Sequence, residues 1–472
     1  MDSSIHSRLK DILPSGGLVN GPKELERYGR DRSGKSSLPA AVLLPKTTAQ
    51  VQQIVQLAHE ERLPLALRGG GTGLLGGAVA PEGGLVLSLS RMDRILEVSS
   101  QNSLAVVQPG VSARRLEKHL EHSGWFYPVD PASWRQSTIG GDVATRAHGL
   151  REARHGPIGS YLLGLEVIIS PGEIIRCGAK TLKCATGYHL VDLFAGSFGR
   201  LGVITQITVK LIPRPPVRQT LRAVLRDLET AAGIAGRLRK SGLQPARLEL
   251  IGPRAARQGF AKLPGIHIGD GYLLLIELDG AEQEDLDERI DLAGACLQGA
   301  AEFQAVSSSS AEDSSSAMSS SSAAAAGRTD EARAWWRSRE ELLRQLIEAG
   351  RPSLLATVRM PVSRLPGFWK QTASILQDRS CEGRFWGHLG EGRWHLLVHL
   401  IEQHGDPHEI LPAVSRSLEE TATAGGGFYL PPAALGWTPR DVLVARHDSG
   451  QKRLWKALKN RFDPLELFGP ID

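Results

Sequence analysis

The stretch Arg68-Gly69-Gly70-Gly71-Thr72-Gly73-Leu74-Leu75-Gly76-Gly77 constrains the fold more than any other segment of the chain. It follows an apolar run at residues 63–67 and is closed by Pro81-Glu82-Gly83-Gly84. A glycine inside a helix costs about 1 kcal/mol relative to alanine and a proline about 3 kcal/mol, so no helix is expected to start in this loop. Gly71, Gly73 and Gly76 spell a formal G-x-G-x-x-G. The dinucleotide-binding βαβ unit, however, holds its pyrophosphate on a helix N-terminus at that point, and the sequence argues against one here. What remains is a strand feeding a long loop of bare peptide amides, either a glycine-rich turn or a cradle for phosphate groups.

Glycine accounts for 52 of 472 residues, above the roughly 7% average, and the excess gathers in a few loops. Apolar residues at 41% and charged residues at 23% are ordinary globular usage, which excludes a fibrous or wholly disordered chain. The net charge of +5 comes without a basic run, so nucleic acid is not an expected partner, whereas small anions remain candidates. No run of about 18 apolar residues is present and the opening residues lack the apolar core of a secretory leader. The expected location is cytoplasmic, or peripheral to the inner face of the membrane, with no membrane span. Cys177, Cys184, Cys296 and Cys381 form no CxxC pair, which suggests reduced structural thiols rather than a disulfide framework or an iron–sulfur cluster.

After a polar lead at residues 1–37, the pattern predicts a strand at 40–44. A helix follows, capped by Thr47 or Thr48, with Val51, Ile54, Val55 and Ala58 on one face. A helix is expected at 113–123 and strands at 164–169 and 202–212, and Pro213, Pro215 and Pro216 mark a boundary near 215. Beyond it, helices near 226–241, 284–297, 331–349 and 365–377 alternate with strands near 272–278, 356–360 and 394–400, an α+β mixture. Residues 307–327 contain eleven serines and the run Ala323 to Ala326, read as a disordered insert. A last helix is expected at 451–462.

Five segments in order carry a likeness. They are the region from Val42 through the glycine loop, "VVQPGV" at 106–111, "PVDPASWRQSTIGGDVATRAHG" at 128–149, "GLEVIISPGEIIRCG" at 164–178 and "ATGYHLVDLFAGSFGRLGVITQITVKLIP" at 185–213. Together they resemble the FAD-binding domain of the vanillyl-alcohol oxidase type, and most of all the glycolate oxidase and D-lactate dehydrogenase flavoproteins. The resemblance implies an α+β fold in which a two-subdomain FAD-binding domain at 38–214 precedes an α+β substrate or cap domain at 215–425. A C-terminal segment, 426–472, is implied to return to the flavin domain. It also implies that FAD is held by Arg68, Gly69, Gly70, Gly71, Thr72, Gly73 and Gly76 around the pyrophosphate, and by Pro131, Ser137, Thr138, Gly140, Gly141 and Ala144 along the flavin. Gly199, Val203 and Ile204 are implied to lie toward the adenine. Asp142, His189 and Phe198 stand where the family has Asn, Asp and Glu.

In the second domain, Gly387-His388-Leu389-Gly390-Glu391-Gly392-Arg393-Trp394-His395 resembles the family's Gly-His-x-Gly-Asp-Gly-Asn-x-His motif, whose histidines line the substrate side of the flavin and in some members bind a divalent metal. His395 and His399 share a strand face but stand about 13 Å apart, too far to share one ion. The family's downstream Glu-His-Gly is replaced by the segment from Gly425 to Pro431. Two ligands make a poor zinc site, and no metal is expected. Trp335-Trp336-Arg337-Ser338-Arg339 resembles a helix whose arginine clamps the substrate carboxylate, and the matching residue is Arg339.

The implied activity is FAD-dependent oxidation of a 2-hydroxy acid such as glycolate or D-lactate by hydride transfer to flavin N5. Arg339 would hold the carboxylate and His395 or His388 would take the hydroxyl proton. Electrons would pass to a quinone or to an iron–sulfur electron-transfer subunit. The alternative is a non-catalytic FAD-binding electron-transfer subunit of a glycolate oxidase-like complex, suggested by the missing Glu-His-Gly and by Phe198. Some family members tether FAD through a His or Cys in the pyrophosphate loop, and residues 68–77 contain neither. The flavin is therefore expected to be non-covalent, and acid precipitation should release it into the supernatant; flavin remaining with the pellet would contradict this.

Overall fold

The computed structural model describes residues 2–183, 186–263, 268–306, 322–346, 352–401, 405–430 and 448–470, with the backbone alone described for 322–330. The chain divides into two units. One comprises Met1–Gly149, Pro157–Arg214 and Gly436–Asp472, the other Leu150–Gly156 and Pro215–Leu435.

In the first unit a four-stranded sheet runs in the order Leu18–Val19, Ala41–Leu43, Leu85–Ser88, Leu65–Arg68. The last three strands are parallel. The helix Thr48–Glu60 covers it, with Thr47 accepting from the amide of Gln50 at 3.2 Å. Its buried Val51, Ile54, Val55 and Ala58 fall at i, i+3, i+4 and i+7, the stripe that one helix face presents to a core. The strand Leu65–Arg68 thereby delivers the glycine loop from a fixed, packed edge. A second, five-stranded antiparallel sheet has the order Ile95–Ser99, Leu104–Val107, Val203–Lys210, Leu162–Ile169, Glu173–Gly178.

The lead at residues 1–37 is not without structure: helices Ser3–Ile12 and Pro22–Tyr28 form there. Asp2 caps the first, and Ile5, Leu9 and Ile12 pack it into the core beneath the parallel strands. The apolar stripe is only three residues long among polar neighbours, which is why composition reads it as a lead.

The second unit is built on an eight-stranded, wholly antiparallel sheet. Its order is Glu302–Val306, Val217–Leu225, Tyr272–Gly280, Arg247–Ile251, Cys381–His388, Arg393–Leu400, Ser353–Arg359, Phe428–Leu430. Period-2 alternation gives its two faces opposite characters. One face carries Leu221, Ala223, Leu248, Leu250, Leu274, Ile276, Phe385, Trp394, Leu396 and Ala356 under the helices Leu228–Lys240, Gln283–Cys296, Leu365–Asp378 and Pro407–Ala424. The other face bears Arg222, Arg247, Glu249, Glu277, His388, Arg393, His395 and Arg359, together with an apolar patch under the helices Pro253–Phe260 and Ser322–Leu346. Most of the serine-rich insert, 307–321, lies outside the described residues. From Ser322 the chain is already helical, so the expected disordered insert ends earlier than residue 327. The run Ala323 to Ala326 has the highest intrinsic helix propensity of any residue type. Cys177, Cys296 and Cys381 are buried free thiols, and Cys184 lies outside the described residues.

The helix Ser449–Phe462 ends on a buried ion pair of the first unit. Lys459 donates to Asp463 Oδ2 at 2.6 Å and to the carbonyl of Arg200 at 2.7 Å, and Asp463 also accepts from the amides of Leu467 and Phe468 at 2.9 and 2.8 Å. Burial pulls the Lys459 ammonium below its ordinary value, against the opposing pull of Asp463. Removing one partner of a buried pair typically costs about 3–5 kcal/mol. Asp463→Ala should lower the denaturation free energy by that order in a denaturant titration, and an unchanged midpoint would contradict the assignment.

Candidate functional site

The glycine loop is pressed directly against the segment Gln136 to Gly141. A Cβ on Gly70 would strike the carbonyl of Gln136 and one on Gly69 the Thr138 hydroxyl. Gly71 has φ +66°, and a Cβ there would run into the Arg68 guanidinium beneath it. That guanidinium faces inward: Nη1 donates to the carbonyl of Arg30 at 2.8 Å, and it lies over the Tyr28 ring. Arg68 thus braces the loop from below. The backbone amides from Gly70 to Leu75 have no hydrogen-bond acceptor among the described residues. A run of unclaimed amide donors in a glycine-rich loop fits a diphosphate, whose oxygens are hydrogen-bond acceptors.

The other FAD-implied residues fall into two groups. Thr138 caps the helix Ile139–Thr145, accepting from the Gly141 amide at 3.3 Å, and Gly140 donates to the Pro109 carbonyl at 2.9 Å. The Ala144 carbonyl accepts from Phe198, and Gly199 sits against Leu67, so residues 67–73, 136–144 and 198–199 form one continuous wall. Pro131 bridges to Gly149, Gly76 lies beside Lys35, and Val203 and Ile204 are buried in the cores, so these four do not join that wall through their side chains.

Asp142 is a feature the sequence flagged only as a departure. Its side chain is buried and accepts from Ser137 Oγ at 3.0 Å. Burial pushes its carboxyl up to about 7, more than the Ser137 hydrogen bond pulls it down.

In the second unit the residues singled out in sequence converge on a group that was not. Arg339 is 4% exposed and Glu249 is fully buried. Arg339 Nε donates to Glu249 Oε2 at 2.6 Å, and Nη2 pairs with the same oxygen. The other oxygen, Oε1, takes His388 Nδ1. Register explains the meeting: Glu249 is opposite His388 on adjacent strands, and Trp386 is opposite His395. Helical spacing explains Arg339, which shares a face with Trp335 and Trp336. Trp335 lies 5.0 Å from the Arg222 guanidinium carbon, and Trp336 donates to Thr220 Oγ1 at 3.0 Å. His395 has Nδ1 3.0 Å from Thr357 Oγ1, and its ring stands edge-on to His388 at 5.9 Å between centroids.

Burial alone would raise the Glu249 carboxyl, but the Arg339 and His388 charges and hydrogen bonds outweigh it and hold the group below its ordinary value. An ionised carboxylate accepts only, so His388 Nδ1 carries a proton, and the neutral tautomer of that ring has its lone pair on Nε2. Such an arrangement is chemically able to take a proton from a hydroxyl group and to stabilise the resulting imidazolium. Among the described residues no cluster of three or more His, Cys, Asp or Glu is placed to hold a metal ion. No helix among them is long and apolar enough to cross a membrane.

A glycine-lined wall of unclaimed amides in one unit and a carboxylate-backed histidine on an antiparallel sheet in the other are the parts expected of a flavin oxidoreductase. The sequence pattern described as "FAD binding domain" matches residues 39–178, and that described as "FAD linked oxidases, C-terminal domain" matches residues 214–471. The chain belongs to the FAD-linked oxidase family, and its cofactor is FAD. It is 31% identical to the glycolate oxidase subunit GlcD of Bacillus subtilis, over 98% of this chain and 96% of that protein. It is 27% identical to the D-lactate dehydrogenase of Anaerostipes hadrus (98% and 95% covered) and 27% identical to the D-2-hydroxyglutarate dehydrogenase of Stutzerimonas stutzeri (99% and 98% covered). Among solved structures, p-cresol methylhydroxylase shares the fold, with a TM-score of 0.77 at 17% identity over 99% of this chain and 95% of that one. The protein is thus an FAD-linked oxidoreductase of the glycolate oxidase, D-lactate and D-2-hydroxyglutarate dehydrogenase type.

The raised Asp142 carboxyl carries a pH signature. In the unfolded chain this group ionises near its ordinary value of 3.8, whereas in the fold it stays protonated to about 7. Its stabilising contribution is complete below about pH 4 and is lost as pH rises through 7, an effect of at most about 4 kcal/mol at 1.36 kcal/mol per unit. Asp142→Asn should therefore flatten the fall in melting temperature between pH 5 and pH 8 and melt higher than the parent at pH 8. Parallel curves for the two proteins would show that Asp142 is ionised in the fold.

Proposed function

We propose that the protein oxidises a small 2-hydroxy acid of the glycolate or D-lactate kind to the 2-oxo acid. The observation that carries this is the buried Glu249–His388 pair backed by Arg339. Bound FAD supplies the hydride acceptor, N5. On this reading His388 Nε2 takes the proton of the substrate hydroxyl as the α-carbon gives up its hydride. Glu249 then neutralises the imidazolium through Nδ1–H. Arg339 acts through Glu249, keeping it ionised and fixed in place. His395, held by Thr357, packs edge-on against the His388 ring and restricts its rotation. An external acceptor, a quinone or an iron–sulfur partner, would take up the two electrons, since the four cysteines provide no cluster motif.

Relatives named as dehydrogenases of hydroxy acids match over nearly the whole chain, so a purely electron-transferring subunit is not favoured. Anaerobic addition of glycolate, D-lactate and D-2-hydroxyglutarate to the FAD-loaded protein should bleach the yellow flavin absorption with at least one of them. Glu249→Gln and His388→Asn should each slow that bleaching by about 100-fold or more, the usual worth of a positioned general base, with flavin content unchanged. A flavin that stays oxidised with all three acids would sink the reading in favour of the electron-transfer subunit.

A further inference from the structure

One row of residues crosses the polar face of the eight-stranded sheet. Glu249 is opposite His388, His388 is opposite Arg393, and Arg393 is opposite Arg359. Directly opposed residues on neighbouring strands have Cβ atoms about 5 Å apart on the same face. His388 is therefore flanked by a carboxylate on one side and a guanidinium on the other.

Arg339 and Arg393 differ in what they already hold. Arg339 has spent Nε and Nη2 on Glu249. Elsewhere on this face Arg247 lies 3.3 Å and Arg151 3.7 Å from the two oxygens of Glu277, and Arg222 lies 3.2 Å from Glu331. The Arg393 side chain, by contrast, makes no hydrogen bond or salt bridge among the described residues, and its Nε is buried without a partner. The acids around it, Glu152, Glu391 and Glu249, act on it from beyond ion-pair distance. Glu249 is committed to Arg339 and His388, and Glu391 shares a hydrogen bond with Glu152 that requires a proton between them. Burial and the neighbouring Arg359 lower Arg393 to about 10, which leaves it charged at neutral pH. A buried donor without an acceptor, beside a second like charge across the strand pair, is costly in isolation. An anion from outside the chain removes both costs.

We propose that Arg393 binds the carboxylate of the substrate, and that Arg339 is a positioning residue for Glu249 rather than the carboxylate clamp. The proposal rests on the oxidation of a 2-hydroxy acid, because such an acid carries hydroxyl and carboxylate on adjacent carbons. With the hydroxyl at His388 Nε2, the carboxylate falls to a neighbour of His388, and on the row the neighbour with an uncommitted fork of donors is Arg393. The residue stands where the resembled motif has an uncharged Asn.

The test uses full-length, FAD-loaded protein, with oxalate as the probe for binding and D-lactate, glycolate and D-2-hydroxyglutarate as probes for turnover. Oxalate binding, read calorimetrically, should weaken by about 10- to 100-fold in Arg393→Gln, the range of one charge-assisted contact, and Arg393→Lys should recover part of it. For whichever acid reduces the flavin, Arg393→Gln should raise the half-saturating concentration by a similar factor while the limiting reduction rate changes far less. Arg339→Lys should do the reverse, lowering the limiting rate and leaving oxalate affinity within a few-fold. Equal oxalate binding by the parent and Arg393→Gln would overturn the assignment, as would a parent that binds no oxalate, or affinity lost in Arg339→Lys and kept in Arg393→Gln. If Arg393→Gln fails to take up FAD, Arg393→Lys decides, and affinity equal to the parent's would again overturn it. If no acid reduces the flavin yet Arg393→Gln still loses oxalate, the oxidation reading fails while the anion site stands.

Discussion

The second unit depends on one buried negative charge. Glu249 sits on a central strand with no exposure to solvent, where an isolated carboxylate would avoid the cost of burying its charge only by taking up a proton. It stays ionised because Arg339 and His388 divide its two oxygens between them. Each partner comes from a different part of the chain, Arg339 from the long helix and His388 from the neighbouring strand. Breaking such a set at one member typically costs about 3–5 kcal/mol, so the same carboxylate that orients the histidine also ties the helix Ser322–Leu346 to the sheet. Structure and chemistry share a single group here, and variants at Glu249 must be read with stability measured alongside.

In the first unit the governing constraint is steric rather than electrostatic. The loop after Arg68 approaches the backbone at Gln136 so closely that a methyl group at Gly70 has no room. The consequence is a surface of amides with no side chains between them, which is what a diphosphate requires and what a protein core cannot satisfy. Arg68, which the resemblance implies as a pyrophosphate ligand, supports the loop from below by bonding to the Arg30 carbonyl.

The sequence made the first unit readable because its determinants are local. Thr47, the apolar stripe from Val51 to Ala58, and the breakers from Gly69 to Gly84 each act within one or two turns of chain, and they appear in the structure where the pattern puts them. The helix Ser3–Ile12 was hidden by a sparse stripe, and the helical start at Ser322 by a serine-rich context. The site in the second unit was legible in part. The two histidines and Arg339 stood out through their motifs, but Glu249 did not, because its partners lie 90 and 139 residues away. A signal was present in Arg247-Leu248-Glu249-Leu250-Ile251, where charged residues alternate with aliphatic ones in a segment flanked by apolar strands. Charges at alternate positions of a central strand usually mean a solvated face; here helices cover much of that face, and the charges had to find one another. Arg393 illustrates the converse, since strand pairing, invisible in a single sequence, is what sets it beside His388.

The central claim is that Glu249 fixes His388 with its proton on Nδ1 and a bare Nε2. Proton and nitrogen magnetic resonance of protein labelled with ¹⁵N histidine measures this directly, using Glu249→Gln and His388→Asn to assign the signal. The account predicts a strongly downfield Nδ1-bound proton at neutral pH that disappears in both variants. A His388 protonated on Nε2, with Nδ1 bare, would contradict it.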